Sequence, residues 1–139
     1  MGIIDRKKNI EHIDTNILVR LITRDNDKMF KRVKKLLSHK EKLFVFEDDT
    51  MMELVYVLST SVYHYPRIKT AAKIKDVISI PNIVCNKGLI SDALDLYVAH
   101  PKLSFVDCYL AIVAETSQET PLWTFDKKLL AQCPFAREP

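Results

Sequence analysis

Ile10-Glu11-His12-Ile13-Asp14-Thr15-Asn16-Ile17-Leu18-Val19-Arg20-Leu21-Ile22 is the stretch that decides the fold. Ile10 to Ile13 read as a short strand, Asp14 ends it, and Ile17 to Ile22 continue as a helix turn until Arg24-Asp25-Asn26-Asp27 breaks the pattern. A strand that gives way to a helix at a carboxylate opens a βα unit, and the chain repeats the alternation. From Asp27 to Ser38 the apolar Met29, Phe30, Val33, Leu36 and Leu37 recur at helical spacing, with Lys28, Lys31, Arg32, Lys34 and Lys35 on the other face. Leu43 to Phe46 predicts a second strand, and Asp48, Asp49 and Thr50 offer caps for a helix running to about Val62. Pro66 opens another helix to Ser79, Pro81 stops it, and Ile83 to Cys85 is a short strand. Helices from Asn86 to Ala99 and from Ser104 to Glu115, a strand from Leu122 to Phe125 and a last short helix opened by Asp126 complete the series. Strands alternating with helices predict an α/β protein whose parallel sheet is covered on both faces.

At 139 residues and 47% hydrophobic composition the chain reads as one domain, residues 1–139, with a lead-in over 1–9 and a short tail over 131–139. The net charge of +3 permits a nucleic-acid partner but resembles no basic tail. With only Gly2 and Gly88 as glycines, P-loops and dinucleotide-binding loops are excluded. Cys85, Cys108 and Cys133 are odd in number and widely spaced, which points to a reducing compartment. The start, Met1 to Lys8, is charged where a signal peptide is apolar, and Arg6 stands where a myristoylation motif has Ser or Thr. No run of about 18 apolar residues exists. The expectation is a cytoplasmic protein with no membrane span.

Asp14, Glu53, Asp107 and Asp126 stand almost alone among apolar neighbours, in Ile13-Asp-Thr-Asn-Ile17, Met51-Met-Glu-Leu-Val55, Phe105-Val-Asp-Cys-Tyr109 and Thr124-Phe-Asp-Lys127. A carboxylate in low-dielectric surroundings calls for a compensating cation or several donors. Three of them also have a plainer reading as helix caps. Asp14 and Asp126 can cap the helices that follow, and Ser104-Phe-Val-Asp107 matches a capping box. Glu53 has no such alternative, because it falls a turn inside a helix whose Met51, Met52, Leu54, Val55, Val57 and Leu58 read as buried nearly all round. Independent caps leave it unexplained, whereas open α/β sheets gather ligands at strand ends. Converging carboxylates repel one another unless a hard divalent cation intervenes, and an all-oxygen shell suits Mg²⁺ or Mn²⁺. Thr15, Asn16 and Thr124 are auxiliary candidates for a bound water or phosphate, or else caps. His12, His39, His64 and His100 lack metal or catalytic spacing; Trp123 and the Met51/Met52 pair read as core. The basic helix from Lys28 to Lys35 reads first as a solvated face.

At these residues the chain resembles PIN-domain ribonucleases, most closely the VapC-type toxins of prokaryotic toxin-antitoxin pairs. The resemblance runs from about Ile10 to Leu130 and rests on Asp14-Thr-Asn-x-Leu-x-Arg20, Glu53-Leu-Val-x-Val-Leu58, Phe105-Val-Asp107 and Thr124-Phe-Asp126, in the family's order. It implies a three-layer α/β/α fold around a central parallel sheet of four to five short strands. It implies a metal-dependent endoribonuclease site of Asp14, Glu53, Asp107 and Asp126 holding Mg²⁺ or Mn²⁺, and a homodimer inhibited by a small antitoxin. Glu47 stands where many relatives have proline, Cys108 where a small Ala is usual, and the tail from Cys133 is short for an edge strand. The expected reaction is hydrolysis of RNA phosphodiester bonds by one metal ion or two, with Arg20, Arg24 and the Lys28 to Lys35 helix as candidate RNA-binding groups. The alternatives are a catalytically silent module that binds RNA or protein, and a phosphoacceptor signalling domain. The second needs a lysine ending a core strand, which this chain lacks.

Overall fold

Parallel pairing sets the architecture of the computed structural model, which describes residues 9–60 and 62–139. All of the expected lead-in except Asn9 therefore lies outside the described residues. The chain forms two compact units, Met1–Lys87 and Gly88–Pro139.

In the first unit β1 (Ile10–His12), β2 (Leu43–Val45) and β3 (Ile83–Val84) lie in the order β1-β2-β3, all parallel, with Ile10 beside Leu43 and Phe44 beside Ile83. The ladder runs one residue past the strands, since the N–H of Ile13 donates to Val45 O at 3.0 Å and that of Phe46 to Val84 O at 3.4 Å. Parallel strands need crossovers. α1 (Thr15–Thr23) and α2 (Asp27–Leu37) make the first, and α3 (Asp48–Ser59) and α4 (Arg67–Ile78) the second. Their apolar stripes supply the core: Leu18, Val19 and Ile22 from α1, Val33 and Leu37 from α2, Met51, Leu54, Val55 and Leu58 from α3, and Ala71, Ile74 and Val77 from α4, around the fully buried Phe44. α3 stops at Ser59, short of the expected Val62. The Ser59 and Thr60 hydroxyls turn back to donate to Val55 O at 2.7 Å and Tyr56 O at 2.6 Å, and Thr60 takes an extended backbone. Such side chains compete with the helix for its own acceptors.

The second unit holds α5 (Lys87–Ala99), α6 (Phe105–Thr116), α7 (Lys127–Gln132) and a parallel pair, β4 (Leu122–Trp123) with β5 (Ala136–Arg137). Its core includes an aromatic run in which Phe105 meets Tyr97 edge-on at 5.9 Å and stacks on Tyr109 at 6.1 Å. The α/β class and parallel pairing agree with the sequence reading. The strands, however, form a three-stranded and a two-stranded sheet, not one sheet of four or five. The short tail does make a strand, held by Leu122 N–H on Phe135 O and Thr124 N–H on Arg137 O, both at 3.0 Å. Trp123 is 61% exposed rather than core, because a two-residue strand in a two-stranded sheet has little to cover its outer face. Cys85, Cys108 and Cys133 form no disulfide; Cys108 and Cys133 are buried, and burial pushes the half-buried Cys85 thiol up. Among the described residues no helix is long and apolar enough to cross a membrane.

Asn82 is a buried polar anchor that the sequence does not announce. Its Nδ2 donates to Leu37 O at 3.0 Å and to His39 O at 3.3 Å, while its main-chain carbonyl accepts from Phe44 N–H at 2.8 Å. One amide thus ties the end of α2 to the entry of β3 beside the central strand. Asn82→Ala takes this donor from Leu37 O, while His39 O keeps Lys42 N–H at 3.0 Å, and should lower unfolding stability by about 1–3 kcal/mol in urea melts; a loss under about 0.5 kcal/mol, the size of an ordinary surface change, would show that Leu37 O finds another partner.

Candidate active site

Two of the candidate carboxylates, Asp14 and Asp126, sit where a strand hands over to a helix, whereas Glu53 lies inside α3 and Asp107 follows a loop between two helices. Asp14 is the N-cap of α1 in an extended conformation, and its Oδ1 accepts from Thr15 N–H at 2.7 Å. Asp126 caps α7, its Oδ1 accepting from Lys128 N–H at 2.8 Å and Leu129 N–H at 3.0 Å, while its own N–H donates to Thr124 Oγ1 at 3.0 Å. Asp107 lies in the first turn of α6 and its N–H donates to Ser104 Oγ at 3.1 Å, which is the Ser104 half of a capping box. The capping readings are therefore correct for Asp14 and Asp126. In both, the cap bonds fall on one oxygen, Oδ1.

Burial differs from expectation. Asp14, Glu53 and Asp126 are exposed and Asp107 is half-buried. Glu53 is not enclosed by its helix: Met51, Leu54, Val55 and Leu58 face the core, Met52 and Val57 are half-buried, and Tyr56, three residues on, is 65% exposed on the side Glu53 shares. Burial thus creates no demand for a cation. Asp14 and Glu53 belong to the first unit, Asp107 and Asp126 to the second. The donors are hard oxygens of the kind Mg²⁺ and Mn²⁺ take. Among the described residues no three His, Cys, Asp or Glu side chains are grouped closely enough to hold a metal ion.

Of the auxiliary candidates, Thr15 is buried at 3% exposure, Asn16 is exposed and Thr124 is half-buried with its hydroxyl on Asp126. Sequence reading passed over Glu47 and Asp48 as binding groups. β1 and β2 pair His12 with Val45, so Asp14 and Glu47 follow their strands at the same offset. Glu47 Oε1 lies 3.6 Å from His12 Nε2, and Asp48 Oδ1 accepts from Asn86 Nδ2 at 3.1 Å. Counting two residues past each strand would have found Glu47.

Arg20 and Arg24 have structural engagements. Arg20 Nη1 contacts both Asp25 oxygens, at 2.8 and 3.0 Å, and Asp25 also accepts from Thr23 Oγ1 at 2.9 Å and Tyr63 OH at 2.6 Å. Arg24 ends α1 in the left-handed region, φ 53°, with its guanidinium 4.6 Å from the centre of the Phe30 ring. Between α1 and α2 an open cavity of about 510 Å³ is lined by Asn16, Ile17, Arg20, Met29, Arg32 and Val33.

The sequence model of the PIN domain matches residues 12–134. The chain belongs to the PIN domain family. PIN domains are generally nucleases and typically use divalent metals, and the match covers every candidate carboxylate. Among solved structures, the chain is similar to one described as VapBC2 from Rickettsia felis bound to a DNA fragment from their promoter, with 17% identity over 93% of this chain and 98% of that one and a TM-score of 0.37. That overlap is too loose to align one residue with another. Among curated proteins none matches in sequence.

The Asp25 cluster of this PIN domain carries a pH signature. Tyr63's hydroxyl does most to lower the Asp25 carboxyl to about 2 from its ordinary 3.8; desolvation, the next largest effect, opposes it, and the Arg20 and Thr23 bonds outweigh that opposition together with Tyr63. A folded value below the unfolded one gives stability that is present above about pH 4 and lost as pH falls toward 2. Asp25→Asn should flatten the acid limb of the melting temperature between pH 4 and 2 relative to wild type, and Tyr63→Phe should do so in part. Parallel curves for wild type and Asp25→Asn would show that the cluster does not form in solution.

Proposed function

We propose that this PIN domain is a metal-dependent endoribonuclease of the VapC type, a cytoplasmic homodimeric toxin held in check by a small antitoxin. The observation that carries the reading is family membership over residues 12–134 together with acids at Asp14, Glu53, Asp107 and Asp126 in the motifs and order of that family. Exposure supports it, since carboxylates at the surface are reachable by a polymer. Mg²⁺ or Mn²⁺ held by these carboxylates would supply an activated water and charge stabilisation at the leaving oxygen. The chain's own contribution is orientation. Cap bonds to Oδ1 fix Asp14 and Asp126 in one rotamer and leave Oδ2 of each outside those bonds. Bare carboxylates repel RNA phosphates, so the protein without metal should not cleave.

Purified chain freed of any partner should cut unpaired RNA only when Mg²⁺ or Mn²⁺ is present, and Asp14→Asn or Asp107→Asn should abolish cutting. Equal cutting by wild type in EDTA, or by the Asp107 variant, would reveal a contaminating nuclease; no cutting by wild type in Mn²⁺ would leave a binding module. Binding of Mn²⁺ to the folded state alone should add about 2.7 kcal/mol at roughly 100 times the dissociation constant, seen as a raised melting temperature. Glu53→Gln should weaken that rise while moving the metal-free stability by less than about 0.5 kcal/mol, as befits an exposed position. An undiminished rise removes Glu53 from the site.

The antitoxin prediction is separate. Native isolation should yield this chain together with a small protein, its RNase activity appearing only on separation. A fully active lone chain would sink the toxin-antitoxin reading and spare the nuclease.

A further inference from the structure

Next to Asp126 the second unit presents two large aromatic side chains to solvent, Trp123 at 61% and Phe125 at 71% exposure. Along this segment Leu122 and Thr124 are half-buried while Trp123 and Phe125 are exposed, and Thr124 carries the ladder on by donating to Arg137 O at 3.0 Å. That alternation is the period of an extended chain, and it sets the two rings on one side. Nothing in a small α/β fold requires two aromatics at a solvent-facing strand end, where each leaves apolar area in water.

The charges around them fit a polyanion. Register places Arg137 beside Trp123. Its guanidinium donates to Pro134 O at 2.7 Å and Ala136 O at 2.8 Å, neutral acceptors that fix its direction without cancelling its charge. Lys127 pairs with Glu138 at 3.0 Å, while Lys128 is exposed one residue further on. Lys128 and Arg137 are thus set against the single carboxylate of Asp126. Aromatic faces alternating with cations are how proteins hold single strands, the rings stacking on bases and the cations following the phosphates.

We propose that Trp123 and Phe125 are a stacking platform for an unpaired base of single-stranded RNA, holding the strand beside Asp126 with Arg137 and Lys128 on its phosphates. The choice of RNA rests on the nuclease reading above. Stacking needs unpaired bases, because the faces of paired ones are covered by their neighbours in a duplex. The platform therefore selects single strands and loops without reading sequence.

Trp123 is the only tryptophan of the chain, so its fluorescence reports the platform directly. Full-length protein in EDTA, where no cleavage interferes, is titrated with a short oligouridylate and with a duplex RNA of the same length. The expected result is saturable quenching by the single strand and at least tenfold weaker quenching by the duplex. With labelled oligouridylate, Phe125→Ala and Trp123→Ala should each weaken binding about tenfold, as expected for one lost stack, while Trp123→Phe keeps most of the affinity. Both positions are exposed, so the folded state should survive, and circular dichroism checks that it does. Absent quenching, or unchanged affinity in both alanine variants, overturns the platform. So does fluorescence that changes with protein concentration and not with RNA, which would assign the aromatic face to a second copy of the chain. The two readings fail separately. Quenching without cleavage by wild type in Mn²⁺ ends the nuclease and keeps the platform, whereas cleavage by Trp123→Ala and Phe125→Ala with wild-type KM ends the platform and keeps the nuclease.

Discussion

Parallel strands cannot be joined by a tight turn, and most of this molecule is a consequence of that restriction. Each return to the start of the next strand needs a crossover, so β1 and β2 are separated by α1 and α2, and β2 and β3 by α3 and α4. The second unit repeats the arrangement at its smallest scale, with α7 alone between β4 and β5. Parallel order also puts every strand's carboxyl end on the same edge of its sheet. Asp14 follows β1, Glu47 and Asp48 follow β2, and Asp126 follows β4 by three residues. The residue that leaves such a strand must start a helix, where backbone N–H groups lack partners and the helix dipole favours negative charge. Acids at strand ends are locally stabilising before any function is considered. A site built there begins from positions the fold already prefers to be acidic.

Helices were legible in the sequence because their apolar residues recur over three turns, long enough for the period to be distinctive. Four of the strands were legible as short apolar runs between breakers, but runs of two or three residues say nothing of pairing, so their division between two sheets could not be read from pattern. The end of α3 was misread for a different reason. Ser59 and Thr60 look neutral in a composition window, yet their hydroxyls take the helix's last acceptors. Glu53 was misjudged because a helix rich in apolar residues suggests burial all round, whereas this one exposes Tyr56 as well as Glu53. The Asp25 carboxylate that engages Arg20 also accepts from Tyr63, 38 residues away in the chain, and no local pattern encodes that bond. The acids themselves were found by residue type and motif, which need no three-dimensional detail. Their exposure could not have been.

That exposure changes what a metal would mean here. A carboxylate held in a buried site must be compensated for the protein to fold, and its cation then belongs to the structure. Carboxylates on the surface remain hydrated and cost the fold little, so the chain can fold and remain folded without any ion. Cation binding then adds to stability only by mass action, in proportion to concentration. In the proposed nuclease an ion, a nucleic acid or an inhibitory protein would each act at the surface without being needed for folding. The same holds for Trp123 and Phe125, which lie outside the buried core and can be covered by a ligand without repacking it. Recognition and chemistry on such a surface are limited by orientation rather than access. In this chain orientation comes from local devices: a cap bond that fixes a carboxylate's rotamer, a backbone carbonyl that aims a guanidinium, and a strand alternation that turns two rings the same way.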